Sequence, residues 1–191
     1  MEDNEKAKLA LEIGCGARPT TPDWYGIKGN ISTIHTDKNP QTKEIKQLDI
    51  EKVFPYKDNT FDYIIARHVI EHLDDPHYTI NECHRILKKG GTLIVEVPHY
   101  SSVMAYSLDH KRFFSTEAFN DYTENNTTTI SGKSKTQGRA FRLEKIDYTI
   151  TFGTILKPII NRTIGINTYE RWLVKILPLI VDVVIFHLKK E

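Results

Sequence analysis

Residues 61–98 read FDYIIARHVIEHLDDPHYTINECHRILKKGGTLIVEVP, and this stretch decides the fold. Phe61–Ala66 is a short apolar run introduced by the turn residues Lys57-Asp58-Asn59, which predicts a strand. From Pro76 to Lys89 the residues Tyr78, Ile80, Cys83, Ile86 and Leu87 recur at helical spacing. Lys88-Lys89-Gly90-Gly91 then offers a basic last turn and a glycine stop. Thr92–Val97 follows directly as another apolar strand. Strand, helix and strand in direct succession predict a right-handed crossover between parallel strands, and a parallel sheet is covered on both faces.

The pattern extends outward in both directions. Upstream, Lys8–Ile13 is an apolar run that stops at the turn Gly14-Cys15-Gly16, and Ile31–Asp37 is a second strand ending on an acid. Pro19, Pro22, Gly26 and Gly29 lie between them and discourage a long helix, so this connection is expected to be loop-like. Lys43–Asp49 is the candidate third strand. Downstream, residues 121–139 are polar, without a period, and read as a loop or lid. Leu143–Phe152 and Val181–Lys189 read as two more strands, with a helix over Thr168–Leu177 between them. The expected fold class is therefore α/β: one domain with a doubly wound, mostly parallel seven-stranded sheet. Residues 8–98 form its ligand-binding half, 99–142 an insertion, and 143–191 the C-terminal strands and helix.

Size and composition agree with that reading. A chain of 191 residues buries a core without metal or disulfide staples, and a formal net charge of +1 forces no nucleic-acid partner. Cys15 and Cys83 have neither the number nor the spacing of a disulfide framework or thiolate zinc site. The charged start MEDNEKAK lacks the apolar core of a signal peptide, so a cytoplasmic location is expected. Trp172–Leu188 is the most apolar stretch, but it is short for a span and is interrupted by Lys175, Pro178, Asp182 and His187. It reads as core, with peripheral membrane contact by the C-terminal segment as the alternative.

Ligands of open α/β sheets bind beyond the carboxyl ends of the strands, and the chemically interesting residues fall there. Glu12, Gly14, Cys15 and Gly16 close the first strand, Asp37 and Lys38 the second, Asp49 and Ile50 the third, and Arg67 and His68 the fourth. LEIGCG, TDKNP, LDIEKVFPYKDNTFDYIIARHVIEHL and HRILKKGGTLIVEVP, in that order, resemble the class I methyltransferases of the type 11 group, over about Lys8–Pro98. The resemblance implies a Rossmann-like fold and an enzyme that uses S-adenosyl-L-methionine. It implies that Gly14, Cys15 and Gly16 line the methionine and ribose portion, with Glu12 near the methionine amino group. It further implies that Asp37, with Lys38 beside it, holds the ribose, that Asp49 and Ile50 frame the adenine, and that Arg67 and His68 face the cofactor cleft. One departure is Arg18-Pro19 where the usual pattern has a third glycine, and it leaves the methionine end least defined. The same Pro19 argues against a dinucleotide fingerprint, whose third glycine packs helix on strand.

His68-Val69-Ile70-Glu71-His72 also spells HxxEH, the zinc signature of inverted metalloproteases, but no partner glutamate announces itself and no metal is expected. On the acceptor side, His99, His110 and Arg112 are the candidate catalytic residues: a histidine as base, Arg112 for an anionic group. The competing reading is that His110 and Arg112 anchor a loop while Phe113 and Phe114 plug the core. The acceptor expected is a small molecule or a glycan- or lipid-type oxygen or nitrogen. An RNA methyltransferase and a degenerate S-adenosylmethionine-binding scaffold subunit are the alternatives. The oligomeric state is not legible.

Overall fold

The computed structural model describes residues 7–123, 141–149 and 181–191. Seven strands form one sheet: β1 (Lys8–Ile13), β2 (Ile31–Asp37), β3 (Lys46–Gln47), β4 (Phe61–Arg67), β5 (Leu87–Pro98), β6 (Phe141–Thr149) and β7 (Val183–Lys190). Their spatial order is β3-β2-β1-β4-β5-β7-β6. The first five run parallel, and β7 is inserted antiparallel between β5 and β6. This is the doubly wound, mostly parallel arrangement expected.

The helix α1 (Pro76–Ile86) joins β4 to β5. Asp75 caps it, accepting from the backbone N–H groups of His77 and Tyr78, and Pro76 occupies the first turn, where a missing N–H costs nothing. Thr79, Ile80, Cys83 and Ile86 are its buried stripe. Across the sheet, Leu11, Ile64, Leu93 and Leu188 stand in register and belong to the same core, as do Ile13, Ala66, Val95 and Phe186. Arg85 ties the chain between β3 and β4 to α1, donating to the carbonyl oxygens of Phe54 and Tyr56 and to Asp58 and Glu82. Lys190 of β7 donates to the carbonyl oxygens of His84 and Leu87 at 2.8 and 2.7 Å, which supplies the cation that a helix C-terminus favours.

Several boundaries differ from expectation. The helix stops at Ile86 rather than Lys89, because Leu87 already pairs with Phe61. Lys88–Gly91 form an excursion between the pairs Phe61–Leu87 and Tyr63–Thr92. Gly90 takes φ 76° there, and a Cβ on Gly91 would lie 2.9 Å from the Lys88 carbonyl oxygen. The third strand shrinks to two exposed residues at the sheet edge, while Ile45 and Leu48 on either side of it are buried. The connection from β1 to β2 holds only a single 3-10 turn, Pro22–Tyr25, as its prolines and glycines suggested. The expected helix over 168–177, residues 150–152 of the sixth strand and most of the polar loop 121–139 lie outside the described residues. Among the described residues, no helix is long and apolar enough to cross a membrane.

Candidate functional site

The strand order reverses between β1 and β4, so a crevice opens beyond the carboxyl ends of these strands. Gly14 and Gly16 both hold positive φ there, 63° and 56°. Their roles differ. A Cβ on Gly14 would lie 2.4 Å from Val69 Cγ2, so this glycine makes room for the chain after β4. A Cβ on Gly16 would meet nothing within 4 Å, so here bare backbone faces open space. The Gly16 N–H donates to Asp37 Oδ2 at 2.8 Å, and the Asn39 N–H donates to Asp37 Oδ1 at 2.8 Å. A carboxylate has about four acceptor positions. Two of them are taken by these backbone N–H groups.

Asp49 stands beyond β3 with its side chain 22% exposed, between Lys38 at 3.4 Å and Lys52 at 3.3 Å. Burial works against its ionised form. The Glu51 N–H and the two lysines outweigh it and hold the carboxyl below its ordinary range. Ile50 is buried in the main core, and its carbonyl oxygen accepts from Thr79 Oγ1 at 2.9 Å. Cys15 is buried beside these acids. Its burial, then the charges of Glu12 and Asp37, push its thiol up to about 11.

Glu12 is 0% exposed. Its oxygens accept from the Thr20 N–H at 2.9 and 3.0 Å and from Thr20 Oγ1 at 2.5 Å, and His35 Nδ1 lies 2.7 Å away. It therefore holds the Arg18–Thr21 segment against β1 and β2. This staple takes the place of the helix whose third glycine the sequence lacks. Arg67 adds to it by donating to the Arg18 carbonyl oxygen at 2.6 Å.

One cluster escaped the sequence reading. His68, in the left-handed region at φ 49°, lies 3.2 Å from Glu96 Oε1 and 3.4 Å from Glu71 Oε1. These two carboxylates, Glu71 foremost, push the imidazole up to about 9. Tyr25 donates its hydroxyl to Glu96 Oε2 at 2.8 Å, and burial raises the phenol further above its ordinary value. Burial opposes the Glu96 charge, but His68 and Tyr25 outweigh it and hold its pKa below the usual range. The available signal was Glu96 itself, a lone acid inside the apolar run TLIVEVP; buried acids need partners.

The three acceptor-side candidates have separate local partners. His99 directly follows β5 in a buried position, with Nδ1 2.6 Å from Ser101 Oγ, and burial lowers its pKa. His110 lies 3.3 Å from the Ala105 carbonyl oxygen and stacks edge-on with His72, ring centroids 4.7 Å apart. Arg112 donates to the carbonyl oxygens of Leu73 and Asp74. That geometry is the loop anchor. Phe114 enters the core, whereas Phe113 is 57% exposed and does not.

Residues 11–95 match the family described as a methyltransferase domain. Over that stretch the chain is similar to methyltransferase domains. The chain is 30% identical over 128 residues to the uncharacterized protein MJ0638 of Methanocaldococcus jannaschii, covering 63% of this chain and 55% of that one. It is 26% identical over 107 residues to a demethylmenaquinone methyltransferase of Staphylococcus epidermidis, covering 47% and 43%. The chain thus spans about half the length of the curated relatives it matches. Its fold is shared with a SAM-dependent methyltransferase from Archaeoglobus fulgidus, with a TM-score of 0.59, 17% identity, and coverage of 97% and 87%.

Proposed function

We propose that this chain binds S-adenosyl-L-methionine at the ends of β1, β2 and β3 and catalyses transfer of its methyl group to oxygen or nitrogen of a small-molecule acceptor. The observation that carries the reading is the Asp37–Gly16 pair at the switch point of the sheet: a half-used carboxylate beside half-buried, side-chain-free backbone. When bound, the cofactor supplies a methyl group on a sulfonium that is already primed for displacement. Asp37 accepts the ribose hydroxyl groups, and Gly16 lets them approach. Asp49, kept ionised by Lys38 and Lys52, accepts from the adenine amino group. Because S-adenosylmethionine carries no phosphate, it does not require a helix N-terminus after β1, and the stapled loop suffices.

Orientation of the acceptor and exclusion of water complete the chain's part. Of the three candidate residues, His99 is the one we assign as base: it directly follows β5, and burial lowers its pKa and so favours the neutral imidazole that a base requires. A demethylmenaquinone methyltransferase among the relatives supports a small-molecule acceptor. The test is calorimetric titration with S-adenosylhomocysteine, followed by transfer from methyl-labelled cofactor to a panel of quinols, phenols and amines. Saturable binding with turnover supports the proposal. Binding without turnover on any class would make the chain a cofactor-binding subunit, and no binding would overturn the reading altogether.

A further inference from the structure

The HxxEH run lacked a third ligand in the sequence, and the fold brings one to it. The segment Asp109–Arg112 is laid against Glu71–Asp74. The Lys111 N–H donates to the Glu71 carbonyl oxygen at 2.8 Å, Lys111 Nζ to Asp74 at 2.5 Å, and Arg112 to the carbonyl oxygens of Leu73 and Asp74. His110 is thereby fixed beside His72. One ligand atom from each of Glu71, His72 and His110 lies within 4.8 Å of the others.

We propose that Glu71, His72 and His110 form a binding site for a divalent first-row transition ion. The Glu71 carboxylate carries the inference. Its residue is 1% exposed, and neither oxygen has a hydrogen-bond partner among the described residues. His68 approaches Oε1 only, at 3.4 Å, and is shared with Glu96. Oε2 is left without a counter-group, which is costly for a buried charge. A cation bound between this oxygen and the two imidazoles would satisfy it.

The histidines are arranged for the same purpose. Imidazoles that bind metals commonly hand their other ring nitrogen to a carboxylate or carbonyl oxygen, which fixes the tautomer. His72 Nδ1 lies 3.2 Å from the Asp109 carbonyl oxygen and 3.3 Å from its carboxylate, and His110 Nδ1 lies 3.3 Å from the Ala105 carbonyl oxygen. With both Nδ1 atoms as donors, the Nε2 lone pairs are left for an ion. Ligand atoms about 2.1 Å from a tetrahedral ion stand about 3.4 Å apart, so closure from 4.8 Å needs side-chain movements of under ~1 Å. Two imidazoles and one carboxylate suit zinc, cobalt, iron or manganese, whereas calcium demands six to eight oxygen atoms. Three protein ligands also leave coordination positions for water or an oxygen donor.

The test uses the tag-free full chain, stripped with a chelator and titrated calorimetrically with Zn²⁺ and Co²⁺, with visible absorption recorded for Co²⁺. One equivalent should bind, with a ligand-field spectrum, and Ca²⁺ should not compete. His110→Ala, on a half-buried segment, should fold with unchanged circular dichroism and weaken binding at least ~100-fold. Asp109→Ala, which removes a hydrogen-bond partner but no ligand, should weaken it about 10-fold. Failure to bind either ion at about 1 mM would overturn the proposal. So would an affinity unchanged in folded His110→Ala, because the ion would then sit elsewhere.

Discussion

Asp37→Asn isolates the contribution of a single carboxylate to the proposed cofactor site. In the native protein the two oxygens of Asp37 share about four acceptor positions. Two take the N–H groups of Gly16 and Asn39, both at 2.8 Å, and two are proposed to take the ribose hydroxyl groups. An asparagine keeps the shape, but it halves the acceptor positions and turns one end into a donor. Whichever way the amide is oriented, one backbone N–H or one ribose hydroxyl is left facing an NH₂ group. A hydrogen bond to a charged group contributes roughly 1.5–3 kcal/mol. Loss of one such bond, together with weakening of the survivor through loss of charge, gives about 3 kcal/mol. That is roughly a 150-fold rise in the Kd for S-adenosylhomocysteine. Isothermal titration would measure it, with circular dichroism confirming that the variant remains folded. A folded Asp37→Asn variant that binds within about threefold of the wild type would refute the assignment of the ribose to this residue.

Other consequences follow from the same geometry. Gly14→Ala should destabilise the protein by about 2–5 kcal/mol, a left-handed backbone penalty plus overpacking against Val69 Cγ2 at 2.4 Å, whereas Gly16→Ala should lose only ~1–2 kcal/mol and instead impair cofactor binding; urea melts compare the two. Asp62 loses from burial but gains more from Lys88 Nζ at 2.7 Å and the Leu9 N–H at 2.9 Å, so its folded pKa is depressed. Its stabilisation is therefore complete above about pH 4 and disappears as pH falls through the folded pKa. Asp62→Asn should accordingly melt lower at neutral pH and show a smaller drop in Tm on acidification. With Cys15 raised to about 11 and Cys83 raised further by complete burial, the thiolate fraction at Cys15 is only about 0.1% at pH 8. Iodoacetamide should label neither cysteine in the native protein within the time that labels both in urea; rapid native labelling would contradict the burial of that turn.

The strands that were legible in the sequence are those whose neighbours are fixed by local chemistry. Lys8–Ile13 and Ile31–Asp37 end where expected, because each apolar run meets a glycine turn or an acid that cannot continue into the core. The third strand was misjudged because the burial of Ile45 and Leu48 imitates strand periodicity around a two-residue edge pairing. In the candidate site, Gly16 and Asp37 were legible because strand ends converge in any doubly wound sheet. The glycine pair nevertheless hid two roles, since only coordinates place Val69 against Gly14. Tyr25 against Glu96 and His110 beside Glu71 could not be read from spacing. Each contact depends on where a loop returns, and no local period encodes that. Arg112 shows the opposite case: its residue type suggested anion binding, while two backbone carbonyl groups within reach give the guanidinium a structural task.

The position of β7 bears on how the molecule assembles. Its partners β5 and β6 both precede it in the chain, and Lys190 reaches back to Leu87 across 103 residues. During synthesis the parallel half of the sheet therefore waits with the outer rim of β5 unpaired until Val183–Lys190 emerges from the ribosome. Contacts so distant in sequence close slowly, and an open strand rim invites pairing with other chains. The interval before β7 docks is when nascent copies are most prone to aggregate, and when a chaperone would help most.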